Sequence, residues 1–357
     1  MLKRVLIVAG GTGGHVFPGL AVARYLLEKG VDVQWLGTKQ GIESRLIPAE
    51  NIPLHFITIN GLRGKGLVAL LFAPFRILIA IKQALRVILT IEPDVVLGMG
   101  GFVSGPSGIA CWLSRRPLVI HEQNAKAGFT NKMLARFSKR ILTGFPDVFS
   151  QHEKVIVVGN PVRHELEQLP IPAKRHLSDA PFRLLVLGGS LGAQGINEIV
   201  PRALLQLNVN ERPTIWHQTG DKHAEIVKNI YKSMGLEAKI TPFIQDMHNA
   251  YTSANMVLCR AGALTVAELC SVGLGAVLVP YPYAVDDHQT ANADFMVKNG
   301  AALCIQQTEL TDSRLADIIK QFSQSGETRL RMAEAAYQLR RVDVVEKIYA
   351  ILCEVIH

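Results

Sequence analysis

Twice in this chain a short, unbroken apolar run ends in a cluster of glycines and passes straight into a helical pattern. Arg4–Ala9 leads into Gly10-Gly11-Thr12-Gly13-Gly14-His15, and Arg183–Leu187 leads into Gly188-Gly189-Ser190-Leu191-Gly192-Ala193. A strand that is apolar without alternation is buried on both faces, as in a parallel sheet covered by helices. Asp32–Leu36, Val95–Gly98, Leu118–His121 and Val155–Val158 read the same way in the first half, with a helix over His15–Lys29. Thr214–His217, Met256–Cys259 and Ala276–Val279 follow in the second half. Strand–helix alternation of this kind predicts an α/β doubly wound domain, and the restart predicts two Rossmann-like ones. The segment PVRHELEQLPIPAKRHLSDAP between them carries four prolines and mixed charges, typical of a domain-entry segment. The boundary is expected near Gly159–Arg163, giving an N-terminal domain over 1-160 and a C-terminal domain over 161-340. The helical patterns Thr328–Leu339 and Asp343–Val355 have no strand after them. The last, about 341-357, could pack on either domain and is assigned to the N-terminal one. Ligands of open α/β sheets lie outside the carboxyl ends of the strands, so two such halves predict a cleft with two ligands facing one another.

Other classes fall away. The start, MLKRVLIVAGGTGGH, is basic and then apolar, but Val5–Ala9 is too short for the core of a signal peptide. No stretch reaches the length of a spanning helix; the best candidate, Leu67–Ile81, is interrupted by Pro74 and Arg76. The five cysteines, Cys111, Cys259, Cys270, Cys304 and Cys353, are scattered and odd in number, which argues against a disulfide framework and fits a reducing cytoplasm. The formal charge of +8 speaks to partners rather than fold. Nucleic acid is disfavoured, because aromatic residues make up only 6% and no recognition module is visible.

The glycine clusters carry the first chemical signal. Glycines let backbone approach an anion, and a following helix N-terminus supplies N–H donors and positive potential. The first cluster is not the dinucleotide fingerprint: Val16 stands where the third glycine belongs, and the second strand ends Trp35-Leu36-Gly37-Thr38 with no acid. No Gly-Lys-Ser/Thr follows, so it is not a P-loop either. A second cluster, Gly98-Met99-Gly100-Gly101-Phe102-Val103-Ser104-Gly105, again joins a strand to a helix and suggests a diphosphate or a mobile loop near one. In the third cluster Ser190 can donate to a phosphate or cap the helix. Arg260-Ala261-Gly262-Ala263-Leu264-Thr265-Val266-Ala267-Glu268 opens another helix, with Glu268 one turn beyond Thr265. A carboxylate there can accept both hydroxyls of a ribose; a solvated helical glutamate is the plain alternative. His121-Glu122-Gln123-Asn124 closes a strand at the ligand edge, and Asp286-Asp287-His288-Gln289 starts a helix where the aspartates can also act as caps.

From Asn51 to Ile91 there is no acidic residue. Arg63, Lys65, Arg76, Lys82 and Arg86 sit among Leu67, Leu70, Leu71, Phe72, Phe75, Ile77, Leu78 and Ile79. Arg76, Gln83 and Arg86 share a helical face. An apolar surface rimmed by cations suits an anionic membrane; a buried helix with a basic solvent face is the alternative.

GGTGGHVFPGLAVA, GLRGKG, DVVLGMGGFVSGP, HEQNAKAG, GNPVR, GGSLGA, TIWHQTG and CRAGALTVAEL together resemble the MurG family, along nearly the whole chain. Its members transfer GlcNAc from UDP-GlcNAc to lipid-linked muramyl-pentapeptide, the step from lipid I to lipid II in peptidoglycan synthesis. The resemblance implies a GT-B fold and an inverting transferase on the cytoplasmic side of the bacterial inner membrane. It implies no cofactor, and no Asp-x-Asp motif suggests a divalent metal. In the C-terminal half it puts Ser190 on the donor diphosphate, Arg163 on the nucleotide and Glu268 on the ribose. Ala263, Leu264, Thr265, Val266 and Ala267 line the donor pocket, Ile244 meets uracil through its backbone, and Gln289 contacts the donor. In the N-terminal half Thr12, Gly13 and Gly14 flank the transferred sugar and the acceptor diphosphate, and Asn124 holds GlcNAc or the incoming hydroxyl. The region 60-90 rests on the membrane. Single in-line displacement needs a base: His15 suits neutral pH, with Glu122 as runner-up. A UDP-GlcNAc epimerase or a natural-product glycosyltransferase would share the donor half without needing the basic, apolar surface.

Overall fold

The structure is a computed structural model that describes residues 1–59, 72–150, 152–175, 181–189 and 192–356. The chain divides into two compact units, one formed by Met1–Val162 with Asp343–His357 and the other by Arg163–Val342.

Among the described residues the first unit holds a seven-stranded sheet in the order β3-β2-β1-β4-β5-β6-β7. The strands are β1 (Arg4–Ala9), β2 (Asp32–Gly37), β3 (Leu54–Phe56), β4 (Val95–Gly100), β5 (Leu118–Glu122), β6 (Arg140–Thr143) and β7 (Val155–Val157). Each neighbouring pair is parallel. The central strands are buried on both faces, which is why they read as continuous apolar runs. One face packs Val5, Ile7 and Leu97 against the helix Gly13–Glu28 and the final helix Val344–Val355. Val344, Ile348 and Leu352 bury into this core, and Tyr349 meets Tyr25 edge-on at 5.9 Å. The other face packs Leu6, Val96 and Ile120 against the inner stripe Ala80, Ala84 and Ile88 of the helix Ala73–Ile91.

The second unit repeats the plan with six strands among the described residues, ordered β10-β9-β8-β11-β12-β13 and parallel throughout. They are β8 (Arg183–Leu187), β9 (Thr214–Gln218), β10 (Lys239–Thr241), β11 (Met256–Cys259), β12 (Ala276–Leu278) and β13 (Ala302–Cys304). In both sheets the order reverses direction at one point, between β1 and β4 and between β8 and β11. Such a switch point opens a crevice at the strands' carboxyl ends. The four glycine-bearing segments, at 10–14, 98–105, 188–192 and 260–262, leave those four strands. The topology thus gathers, within each unit, two loops far apart in sequence.

The expected strands stand within a residue or two of their predicted limits. Sequence reading passed over β3, β6, β10 and β13, each only three or four residues long.

Candidate active site

In the first unit the loop after β1 enters the helix Gly13–Glu28 through Thr12, whose side chain makes no capping bond; Thr12 O accepts from the amides of His15 at 3.1 Å and Val16 at 3.2 Å. No acidic residue occupies the first turn, so no side chain of that turn offsets its positive end. Behind the loop lies a carboxylate that sequence reading missed. Glu43 is fully buried at the start of the short helix Glu43–Ala49. Its Oε2 accepts from Gly11 N at 3.0 Å, and its Oε1 from Thr38 N at 2.9 Å and Thr38 Oγ1 at 2.8 Å. A side chain at Gly10 would meet Glu43 at 2.6 Å. Glu43 therefore ties the glycine turn to the end of β2 and takes the Gly11 amide away from any ligand. Nothing in its sequence neighbourhood announces this, because the partners come from two other segments.

His15 stands half-buried on that first turn, with Nδ1 3.2 Å from Gln123 Oε1. Gln123 is buried and donates from Nε2 to Met99 O at 2.8 Å. The His121–Asn124 segment thus joins the first two glycine loops. Glu122 is also buried, and its carboxylate is engaged on both oxygens. Asn124 N and Nδ2 donate to Oε1 at 3.1 and 3.2 Å; Gly128 N and Asn131 Nδ2 donate to Oε2 at 3.0 and 2.8 Å. A carboxylate receiving four bonds holds that loop, and here it places Asn124. Burial pushes the His121 imidazole down to about 4, against smaller upward pulls from its Gly159 O contact and from Glu122. Its Nε2 lies 2.9 Å from Gly159 O, so it is a neutral structural group. Asn160 Nδ2 donates to Gln123 O at 2.9 Å and secures the same segment from below.

In the second unit Glu268 projects from the helix Ala263–Val272, which opens at Gly262 with no side-chain cap and no acid in its first turn. The Glu268 side chain is 16% exposed and 3.9 Å from Arg163 Nε. Tyr251 OH donates to its Oε2 at 2.9 Å. Burial raises the Glu268 carboxyl above its ordinary range, while the Arg163 charge and the Tyr251 hydroxyl pull it down. The structure therefore brings Arg163 and Glu268 together and adds Tyr251, whose position 17 residues earlier gave no helical spacing to notice. Ala263 and Val266 are buried; Leu264, Thr265 and Ala267 are partly exposed. Ile244 is buried, and its amide donates to Gln218 Oε1 at 2.9 Å. A backbone contact to a base would thus use the Ile244 carbonyl or exchange that bond. Gln289 Oε1 accepts from Tyr281 N at 2.9 Å. Asp287 takes the Thr290 hydroxyl at 2.7 Å rather than capping a backbone amide. Arg260 spends its donors on Val279 O, Pro280 O and Gln307.

The helix Gln194–Leu205 follows the third glycine loop. Gly192, at φ +81°, lies so close to Thr219 O that no side chain fits. Ser190 lies outside the described residues, as do Arg63, Lys65, Leu67, Leu70, Leu71 and the segment GLRGKG. The described part of the basic region exposes Phe72, just before the helix Ala73–Ile91, and Phe75, Leu78 and Ile79 on it, with Arg76, Lys82 and Arg86 also exposed. Gln83 turns to Thr58 N instead, at 2.7 Å. No helix among the described residues is long and apolar enough to cross a membrane.

Residues 5–143 match the N-terminal domain of glycosyltransferase family 28 and residues 183–348 match its C-terminal domain. With the paired Rossmann sheets, this makes the chain a two-domain glycosyltransferase of the GT-B class. It is 51% identical over 349 residues to the UDP-N-acetylglucosamine–N-acetylmuramyl-(pentapeptide) pyrophosphoryl-undecaprenol N-acetylglucosamine transferase of Nitrosococcus oceani, covering 98% of this chain and 97% of that one. The enzyme of the same name from Marinobacter nauticus is 50% identical over 97% of this chain and 96% of its own. The crystal structure of Acinetobacter baumannii MurG superposes with a TM-score of 0.85 at 40% identity, covering 99% of both chains. The chain belongs to the MurG family.

Proposed function

We propose that this enzyme transfers GlcNAc from UDP-GlcNAc to MurNAc-pentapeptide carried on undecaprenyl diphosphate. The observation that carries the reading is identity near one half, over essentially the whole length, with transferases named for that reaction.

The residues support a division of labour. In the second unit Glu268 accepts the ribose hydroxyls, with Arg163 beside it neutralising part of the nucleotide's charge. Ile244 meets uracil through its backbone, and Ser190, Gln289 and the turn Ala263–Ala267 complete the donor pocket. The uncapped N-termini of the helices Gln194–Leu205 and Ala263–Val272 stabilise the leaving diphosphate. In the first unit Thr12, Gly13, Gly14 and Asn124 hold the sugar and the acceptor, and His15 takes the proton of the attacking hydroxyl. The new bond forms at C1 as the bond to UDP breaks, with inversion. Phe72, Phe75, Leu78 and Ile79, interleaved with Arg76, Lys82 and Arg86, rest on the anionic cytoplasmic face of the membrane where the lipid acceptor resides.

The test is UDP release from UDP-GlcNAc with and without a lipid-linked muramyl-pentapeptide, in EDTA. Release that needs the acceptor and survives EDTA is expected. Release without acceptor would replace the transferase with a hydrolase or an epimerase, and no turnover with either would remove the donor assignment.

A further inference from the structure

A histidine can act as a base at only one ring nitrogen at a time, and which one depends on where the other holds its proton. Hydrogen positions around His15 follow from its neighbours. Met99 O is a backbone carbonyl and can only accept, so the Gln123 group 2.8 Å from it is the amide nitrogen. That fixes the orientation of the Gln123 amide. The atom facing His15 Nδ1 at 3.2 Å is then the amide oxygen, which also can only accept. His15 Nδ1 must carry the proton, and the lone pair lies on Nε2. Gly100, at φ +108°, lies so close to Nδ1 that a side chain there would strike the ring, so the imidazole is seated from that side. The chain runs Met99 carbonyl, Gln123 amide, His15 ring, and each link is buried or half-buried.

We propose that Gln123 is a positioning residue for the transfer: it holds His15 in the Nδ1–H tautomer, so that Nε2 is the nitrogen that takes a proton. The proposal rests on the reading of His15 as the base. In the step, the acceptor hydroxyl proton passes to His15 Nε2, its oxygen bonds to C1 of the donor, and the C1–O bond to UDP breaks with the electron pair leaving on the diphosphate. The imidazolium keeps its Nδ1–H on Gln123 Oε1 and afterwards releases the Nε2 proton to solvent. A neutral amide, unlike a carboxylate, orients the ring without drawing the proton toward a charged partner.

The tautomer is measured directly, by two-bond proton–nitrogen NMR on the full-length protein labelled at histidine, with the His15 signals assigned by their loss in His15→Gln. The expected pattern is Nδ1–H in the wild type. Gln123→Met, which keeps the shape and removes both bonds, is expected to lose that single tautomer and to lower kcat about 100-fold with KM for UDP-GlcNAc within about twofold. A wild-type His15 in the Nε2–H form overturns the proposal. So does a Gln123→Met enzyme whose kcat is unchanged, or whose loss lies wholly in donor KM. The NMR result does not depend on turnover. If the wild type transfers no GlcNAc, the functional reading fails while the tautomer still decides the role of Gln123.

Discussion

Two histidines, one in each unit, are held by the same device and end with opposite fates. His15 meets the oxygen of Gln123, whose amide nitrogen is committed to Met99 O. His217 meets the oxygen of Asn197 at 3.1 Å, whose amide nitrogen is committed to Thr219 O at 3.0 Å. In each case a backbone carbonyl fixes an amide, and the amide fixes a tautomer. The first pair meets at Nδ1 and leaves the lone pair on Nε2 of a half-buried ring. The second meets at Nε2, and the remaining Nδ1 accepts from Tyr231 OH at 3.1 Å inside the core. Burial pushes His217 down to about 3. The comparison teaches that an oriented histidine is not in itself a reactive one. What separates them is their surroundings: His15 is half-buried on the helix that follows a glycine loop, whereas His217 is fully buried with Tyr231 on its second nitrogen.

The largest effect that would break this contrast is on stability. Asn197→Leu leaves the His217 N–H and Thr219 O buried without partners, which is expected to cost about 3 kcal/mol, read as a fall in the denaturation midpoint. Its counterpart Gln123→Met sits beside a partly exposed ring and should cost about half as much. Equal losses, or the reverse order, would mean that the two amides do the same work.

The acid limb gives the next effect. An unfolded histidine takes its proton near 6.5, whereas in the folded protein His121 does so only at about 4 and His217 only at about 3. Between those values the unfolded chain binds more protons, so both groups destabilise the fold as pH falls. The stability they confer is complete above pH 6.5 and is lost progressively down to about pH 3, His217 over the wider window. Melting temperatures taken from pH 7 to pH 4 should fall less steeply in His217→Gln than in the wild type, even though the variant starts lower. Parallel slopes would show that His217 is not the buried neutral group described here.

Much of this was legible in the sequence, and the limits of legibility are physical. The strands β1, β4, β8 and β11 are buried on both faces and announce themselves as unbroken apolar runs. The edge strand β3 is three residues long and partly exposed, so nothing in its pattern sets it off from a loop. The glycine turns were visible because each is local. The long-range bonds were not: Glu43 reaches Gly11 across 32 residues, and Asn197 reaches His217 across 20. Only the parallel topology makes such pairs neighbours. Gln123 is the intermediate case. The polar run His121–Asn124 at a strand end marked the segment, but its contacts depended on Met99, in β4, and on His15, on the helix that follows β1.

The smallest effect sharpens the comparison most finely. Tyr231→Phe removes only the hydroxyl that seals His217 Nδ1. The ring remains, including its edge-on packing on His217 at 6.0 Å, so the lost quantity is one buried hydrogen bond and the exposure of one nitrogen lone pair. That is expected to cost about 1 kcal/mol. Because Asn197 still fixes the Nε2–H form, the His217 tautomer should not change, and the same two-bond NMR experiment would report it. In the first unit Gln123→Met should abolish the single tautomer outright. A tautomer switch at His217 in Tyr231→Phe would show that the hydroxyl, not the amide, sets the ring there. The likeness between the two histidines would then be one of appearance only.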